Sequence, residues 1–557
     1  MIAIQLDHVS VTYIAKPIFR DLSWEIQHDR CVGLIGPNGC GKSTLLKLIA
    51  GELSADSGFV HRAGKLNVGY LPQEPCLTPG LSVWQEALSA SSALQTIETR
   101  LHQVEQRLSD PQVYENEEKL THTLEEQARL IDQYEQLGGA SYEGLVRSTL
   151  LRAGFAVEDF TLSVDVLSGG QKKLLGLAKI LITKPDVLLL DEPDNHLDLA
   201  GKALLEHLIN DHYGATILVS HDRYLLDLTV DEISELEDGR LKHYPGDYSE
   251  YVFEKRANLL RQQQLFQVQQ KEIDRLEQAA HRLLIWGRVY DNEKLIKRGK
   301  SILKRIDRIE RIDQPVLERR RMELELRGWR GSNKVLEIRA LGKVFSASND
   351  YGSKPEETTV LAGVNLLLWR GERVGLIGPN GSGKSVLFRL ILGQEMPTRG
   401  SIDLGPSVSI GHYAQEHQTL DYSKTLIDTV RGVTRFSENE AISFLAKFLF
   451  DYERARGPVR NLSGGERSRL QMALLRLSNA NFLLLDEPTN NLDIASAEVL
   501  EDALNDFDGT VLVISHDRYF LDRTVTRIIE LVDGHLVEYK GGYSDYLQAS
   551  RPSKAKR

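Results

Sequence analysis

Two short apolar runs, Val187 to Leu190 and Phe482 to Leu485, each stop at an Asp-Glu pair, Asp191-Glu192 and Asp486-Glu487. Uninterrupted runs of this length read as strands buried on both faces, the pattern of a parallel sheet. Val32 to Ile35 is a third run and delivers the chain into a glycine-rich turn, with a helix predicted from about Lys42. Elsewhere the period is helical. Leu259, Phe266, Ile273 and Ala280 recur every seven residues with Leu276 and Leu283 alongside, and Ile302, Ile306, Ile309 and Val316 mark a second helix. Two antiparallel helices of about 30 residues would project on the order of 45 Å at 1.5 Å per residue, with Pro315 kinking or ending the second. Leu94, Ile97, Leu101, Val104 and Leu108 keep a helical period, and a Glu-rich amphipathic stretch follows from Leu120 to Leu137. A helical hairpin is therefore predicted within Ser82 to Gly138.

The glycine-rich turn and the acidic strand end belong to a set of motifs that occurs twice in the same order. The first set is Gly36-Pro37-Asn38-Gly39-Cys40-Gly41-Lys42-Ser43-Thr44, then Gln73, Leu167-Ser168-Gly169-Gly170-Gln171, Asp191-Glu192 and His221. The second is Gly378-Pro379-Asn380-Gly381-Ser382-Gly383-Lys384-Ser385-Val386, then Gln415, Leu462-Ser463-Gly464-Gly465-Glu466, Asp486-Glu487 and His516. Lysine to glutamine is 31 residues in both, signature serine to aspartate 23, and aspartate to histidine 30. Only the interval from glutamine to signature serine differs, 95 residues against 48, so the first copy carries an insertion of 47. A duplicated domain with one inserted arm accounts for all of this. The expected organisation is a first domain over residues 1–245 with the arm at about 82–138, a helical linker over 246–335, a second domain over 336–550 and a short basic tail at 551–557.

Composition narrows the class. Of 557 residues, 41% are hydrophobic and 26% charged, ordinary values for a soluble globular protein. No stretch approaches the roughly 18–20 consecutive apolar residues of a membrane span, which excludes a permease in this chain and leads to the expectation of a cytoplasmic protein without membrane insertion. Cys31, Cys40 and Cys76 have no metal-ligand spacing. The net charge of −11 disfavours nucleic acid as a partner at first sight, yet residues 255–330 hold 20 Lys or Arg against 11 Asp or Glu. That local +9 leaves about −20 for the rest, so the positive charge sits where the repeats join.

Each motif has a chemical reading. In a P-loop, glycines let consecutive N–H groups close around phosphate oxygens at a helix N-terminus; Lys42 and Lys384 reach the outer phosphates, and Ser43 and Ser385 offer ligands to Mg²⁺. Val386 replaces the hydroxyl of Thr44 in the second copy. Asp191 and Asp486, at strand C-terminal ends, suit Mg²⁺, and Glu192 and Glu487 suit a base or water-positioning role in phosphoryl transfer.

This order of motifs resembles the ATP-binding cassette (ABC) superfamily over both repeats, and the fold it implies is α/β: two P-loop ABC-type ATPase domains joined by a helical hairpin linker. The resemblance implies head-to-tail packing, with Ser463, Gly464 and Gly465 completing the first ATP site and Ser168, Gly169 and Gly170 the second, Gln171 and Glu466 following in the signatures. It further implies that Gln73 and Gln415 sense Mg²⁺ and the attacking water, that His221 and His516 contact the γ-phosphate, that Asp198 and Asp493 couple the sites across the interface, and that Tyr13 and Phe345 stack on adenine. Both sites keep Asp, Glu and His, so two hydrolysing sites are expected, with ATP and Mg²⁺.

The linker chooses among such proteins. Its predicted tip, Trp286, Arg288, Tyr290, Lys294, Lys297, Arg298 and Lys300, mixes aromatic and basic residues, which suits stacking and phosphate contact on folded RNA; a solvated hairpin that only spaces the domains is the alternative. Tandem domains, this linker, the arm, and the stretches Asp191-Glu-Pro-Asp-Asn-His-Leu-Asp198 and Asp486-Glu-Pro-Thr-Asn-Asn-Leu-Asp493 resemble the ABC-F family. Asp194 and Asn491 depart from the family's usual Asp-Glu-Pro-Thr-Asn-His-Leu-Asp. The resemblance implies a monomeric ATPase that clamps the ribosome, contacting rRNA and tRNA near the tRNA exit site, as a translation factor or an antibiotic-resistance protein. A tandem ATPase subunit of a membrane importer is the alternative, and a DNA-repair protein a distant third.

Overall fold

The computed structural model describes every residue except 1, 14–15, 65, 110, 115, 137, 310–321, 327, 330, 348–355, 415–419 and 551–557. Both apolar runs form fully buried strands, Val187–Asp191 and Phe482–Asp486. Each lies in a six-stranded sheet. In the first repeat the strand order is Val68–Leu71, Val187–Asp191, Ala215–Val219, Cys31–Ile35, Glu232–Glu237, Arg240–Pro245. In the second it is Ile410–Tyr413, Phe482–Asp486, Thr510–Ile514, Arg373–Ile377, Arg527–Val532, His535–Lys540. The first five strands of each pair in parallel and the last is antiparallel. Because both faces are covered, the central strands need no polar face, and the apolar runs follow.

A three-stranded antiparallel sheet packs against one face of each, formed by Ile2–Tyr13, Lys16–Gln27 and Ser57–Arg62 in the first repeat. Between that small sheet and the parallel strands lies one core, with Ile4, Trp24, Leu45, Val187 and Ile217. On the opposite face, Leu188, Leu190 and Leu218 pack against helical residues such as Leu175 and Leu225. The second repeat divides its core the same way. P-loops leave the middle strand of each sheet, so the nucleotide motifs gather at the carboxyl edge.

The inserted arm is helical, Ser92–Leu108 and Glu117–Gln136 with the short helix Pro111–Tyr114 between them. Ile97, Val104 and Leu130 form a small core of their own, supported by Leu101, Leu108 and Tyr134.

The linker differs from two equal helices. Its first helix, Tyr248–Val289, is 42 residues long, about 63 Å at 1.5 Å per residue, and the returning helix, Glu293–Asp307, has 15. The first is longer because it starts inside the first repeat. Asp247 caps it by accepting from the Glu250 N–H at 2.9 Å, and its first turns bury Tyr248 and Tyr251 in the repeat's core. Asn292 caps the return through the N–H groups of Lys294 and Leu295. Along the heptad stripe Ile273 and Ala280 are buried, and Leu259, Phe266, Leu276 and Leu283 are half-buried. Val316 and Pro315 lie outside the described residues. Beyond them Met322, Leu324 and Leu326 enter the second repeat's core.

Near the tip the two helices approach closely through glycine. A Cβ on Gly299 would lie 2.8 Å from Leu284 Cγ and 3.1 Å from the Ala280 carbonyl oxygen. Such overpacking costs about 1–3 kcal/mol. Gly299→Leu should therefore speed hydrogen exchange of the amides around 280–306 by about ten-fold or more while the sheet amides exchange as in the parent; an unchanged hairpin would contradict the packing.

Candidate active site

The P-loop backbone is held open for a bulky anion. Gly39 and Gly381 have φ of 79° and 81° with nothing near a hypothetical Cβ, whereas a Cβ on Gly41 would come within 2.3 Å of Ile18. Lys42 Nζ donates to the carbonyls of Gly36 at 2.8 Å and Pro37 at 3.3 Å, and Lys384 Nζ to those of Gly378 at 2.7 Å and Pro379 at 2.8 Å. The helices begin at the lysines, so their first N–H groups point into the loop. The hydroxyls of Ser43 and Ser385 lie beside Asp191 and Asp486. Burial pushes both aspartates up, Asp486 to about 6, against the pull of these hydroxyls and of Lys42 or Lys384. Val386 packs against the apolar core, where a hydroxyl would have no apolar role.

Glu192 and Glu487 both adopt left-handed backbone with φ of 49°, an uncommon conformation for a non-glycine residue that both repeats keep. Glu192 Oε2 accepts from Gln73 Nε2 and Asn195 Nδ2, each at 2.7 Å, and Oε1 lies 3.6 Å from His221 Nε2. Glu487 accepts from the His516 N–H at 3.3 Å and lies 3.4 Å from His516 Nε2. Burial, reinforced by Asp486, pushes Glu487 up to about 8; burial, then Asp194 and Asp191, raises Glu192. Burial lowers both histidines, His221 to about 3, and the P-loop lysines add to this, so each imidazole is neutral and its protons are set by tautomer. Gln415 lies outside the described residues.

Among the described residues, Asp191 Oδ2, Asp486 Oδ1, His221 Nδ1 and Nε2, and His516 Nδ1 are buried without a hydrogen-bond partner. Buried carboxylate oxygens and imidazole nitrogens of this kind need partners. A cation beside Asp191 and Asp486 and a phosphate beside the histidines supply them, so the residues present fit Mg²⁺ and a nucleotide.

The repeats meet head to tail. Asn38 Nδ2 donates to the Asn491 carbonyl at 3.2 Å; Asn380 donates through its N–H to Asp198 Oδ2 and through Nδ2 to the His196 carbonyl, both at 3.0 Å. One cleft of roughly 2170 Å³ is lined by Lys42, Gln73, Glu192 and His221 together with Ser463–Gly465, and by Lys384, Glu487 and His516 together with Ser168–Gly170. Ser168 and Ser463 cap their signature helices by accepting from the N–H groups of Gln171 and Glu466, whose side chains in turn accept from the serine N–H groups. The Gln171 and Glu466 side chains therefore act as caps in this structure. Asp493 caps its own helix through the Ser496 N–H; burial opposes its ionisation, but Ser496 and the Asn38 N–H lower it below the usual range.

Tyr13 and Phe345 stand at the ends of their strands, exposed by 67% and 40%. Trp286, Arg288, Tyr290, Lys294, Lys297, Arg298 and Lys300 are all exposed at the linker tip, apart from the cleft.

Sequence reasoning did not single out the pairs that hold the interface. Arg223 pairs with Glu501 and stacks 4.1 Å from the Tyr519 ring; Arg518 pairs with Glu206 and stacks 4.3 Å from the Tyr224 ring. Every contact crosses between repeats. The signal was present, since both copies continue His-Asp-Arg-Tyr after the histidine and carry Glu eight residues after Asp198 and Asp493.

A family model described as ABC transporter matches residues 19–195 and 361–490, and a related extension model matches 234–326, the linker region. ABC transporter F family member 5 of Arabidopsis thaliana is 32% identical over 99% of this chain and 78% of its own length. The chain belongs to the ABC-F family of ATP-binding cassette ATPases. This ABC-F chain is also 35% identical to the Energy-dependent translational throttle protein EttA of Escherichia coli, over 95% of the chain and 92% of EttA. It is 36% identical to the ABC transporter ATP-binding protein YfmR of Bacillus subtilis, over 100% and 85%. Among solved structures, the archaeal ribosome recycling factor aABCE1, in complex with the ribosomal stalk protein aP1, superposes with a TM-score of 0.60 at 18% identity over 97% and 92% of the two chains, a likeness of fold. No helix among the described residues is long and apolar enough to cross a membrane.

The cross-cassette pairs carry a stability prediction. Arg223→Ala leaves Glu501 buried with only Arg523 beside it, at 2.9 Å, and should cost about 3 kcal/mol. In calorimetry this ABC-F variant should unfold at lower temperature. Lys297→Ala, which removes an exposed pair with Glu293, should leave the melting temperature unchanged.

Proposed function

We propose that this ABC-F protein is an ATP-driven clamp on the ribosome that acts near the tRNA exit site to modulate translation. The supporting observation is the exposed aromatic and basic tip, carried by a 42-residue helix that grows out of one ATPase cassette, while the chain beyond the return helix enters the core of the other at Met322, Leu324 and Leu326. Movement between the cassettes would be transmitted along that helix. The relative EttA is named for an effect on translation, and it matches nearly the full chain. Tandem cassettes in one chain make the working unit a monomer. Displacement of a ribosome-bound antibiotic is the other use of the same geometry.

In each site the signature serine and glycines of one cassette close over the γ-phosphate held by the P-loop of the other. Lys42 and Lys384 neutralise the outer phosphates, and Tyr13 and Phe345 stack on adenine. Ser43 with Asp191, and Ser385 with Asp486, are the groups that would hold Mg²⁺, which supplies charge neutralisation at the phosphate oxygens. Glu192, oriented by Gln73 and Asn195, aligns the attacking water and receives its proton. Glu487 does the same in the second site. Neutral His221 and His516 hydrogen-bond the γ-phosphate, and Gln415 matches Gln73 in its role. Asp198 and Asp493 link the sites because each contacts the opposite P-loop. Loss of the γ-phosphate removes what joins P-loop to signature, and the clamp opens.

Combining Glu192→Gln with Glu487→Gln should trap the closed state. ATP should then increase co-sedimentation of the variant with purified ribosomes by about ten-fold or more, and the retained fraction should fall as salt rises. Retention without nucleotide, or none with it, would contradict the clamp.

A further inference from the structure

Behind the nucleotide sites the cassettes differ in charge. The first carries Lys173, Asp194, Lys202 and Asp222, all buried. At the same offsets from their motifs the second carries Ser468, Thr489, Ala497 and Asp517. Asp194, the departure from the family pattern, is thus one of a set of substitutions. It accepts from Ser220 Oγ at 2.8 Å, and Lys173 donates to the main-chain carbonyl of Glu192. Two lysines, together with Arg518 at 3.6 Å from Asp222, offset the two aspartates, as burial of charge requires.

Lys202 does more than balance charge. It lies one turn into the helix Leu199–Asn210, which Asp198 caps. Its Nζ donates to Asp222 Oδ2 at 2.8 Å and, across the interface, to the main-chain carbonyl of His516 at 2.8 Å. The N–H of that same His516 donates to Glu487 at 3.3 Å. Asp222 is itself fixed by the N–H groups of Tyr224 at 3.0 Å and Leu225 at 3.1 Å, so the ammonium group is anchored on rigid backbone. One buried side chain of the first cassette therefore holds the peptide on which the histidine of the second site stands, and through it the carboxylate that meets the water. Ala497, buried at the matching place, has no donor to give His221.

We propose that Lys202 is a positioning residue for the second ATP site, acting in trans, and that the two sites of this protein are consequently unequal, only the second depending on a lysine from the opposite cassette. The inference rests on the reading of Glu487 and His516 as that site's hydrolytic pair. It follows from peptide geometry: an ammonium group bridging two cassettes fixes the distance between Asp222 and His516, and a displacement of even an ångström at the histidine misaligns the water.

The test is single-turnover hydrolysis by the full chain of an azidoadenine ATP analogue carrying a radioactive γ-phosphate, photolysed at intervals and mapped to each cassette by its labelled peptides. Lys202→Ala should slow γ-phosphate loss in the second cassette about ten-fold, the worth of one buried charged hydrogen bond, and change the first by less than about two-fold. Lys202→Arg, which keeps a donor there, should recover most of the rate. Because Lys202→Ala also removes a buried cation from beside Asp194 and Asp222, the combination Lys173→Ser, Asp194→Thr and Lys202→Ala, which installs the second cassette's own residues, should fold and show the same loss in the second site; its first site, where Lys173 meets the Glu192 carbonyl, serves as no control. In Lys202→Ala itself, equal slowing in both cassettes, or none in the second, would overturn the proposal. Glu487→Gln distinguishes the two failures: if it leaves γ-phosphate loss in the second cassette intact, the assignment of the hydrolytic pair fails, and if it abolishes that loss while Lys202→Ala has no effect, the positioning role alone fails.

Discussion

The structure depends on two buried ion pairs that cross between cassettes, Arg223 with Glu501 and Arg518 with Glu206, each arginine also lying over a tyrosine of the opposite cassette. The cleft is lined by residues of both cassettes. The pairs fix the relative orientation in which Asn38 meets Asn491 and Asn380 meets Asp198, and in that orientation P-loop and signature share a cleft. Arg223 meets both oxygens of Glu501, a two-pronged pairing that tolerates little rotation and so specifies geometry better than an apolar patch of the same size; Arg518 meets Glu206 through a single contact. Buried ion pairs add little net stability. Their effect is to select one docking mode.

The same logic explains the strain stored at the sites. Glu192 and Glu487 both sit in left-handed backbone, which points the carboxylate out of the strand end and toward the histidine. Around them burial lowers both imidazoles and raises Asp191, Glu192, Asp486 and Glu487. The two sites share this design but differ in their surroundings. Glu192 is oriented within its own cassette by Gln73 and Asn195, while the backbone beside Glu487 is held by Lys202 from the other.

Much of this was legible in the residues because it repeats. Equal spacings identified the duplication, and the apolar runs located the strands, since runs this short that are apolar throughout suit a strand covered on both faces better than a helix. The linker lengths were less accessible. A heptad stripe shows that a helix packs but not where it begins, and Tyr248 and Tyr251 bind the start of the long helix to the first cassette by contacts distant in sequence. The roles of Arg223, Arg518 and Lys202 were hidden for the same reason: each has its partner roughly 280 to 320 residues away, and only the docked pair brings them together. Gln171 and Glu466 illustrate the reverse case, in which residues of a nucleotide motif serve their own helix caps.

The central claim is that each site is built from both cassettes. Trapping the protein with Mg²⁺, ADP and vanadate and irradiating with ultraviolet light breaks the backbone next to the bound oxyanion, and sequencing the fragments locates each break. The account predicts breaks at both P-loops and both signatures in the parent, and in Lys42→Ala the joint loss of those at Ser43 and Ser463 with those at Ser385 and Ser168 retained. Loss of Ser43 together with Ser168, or breaks confined to the P-loops, would contradict it.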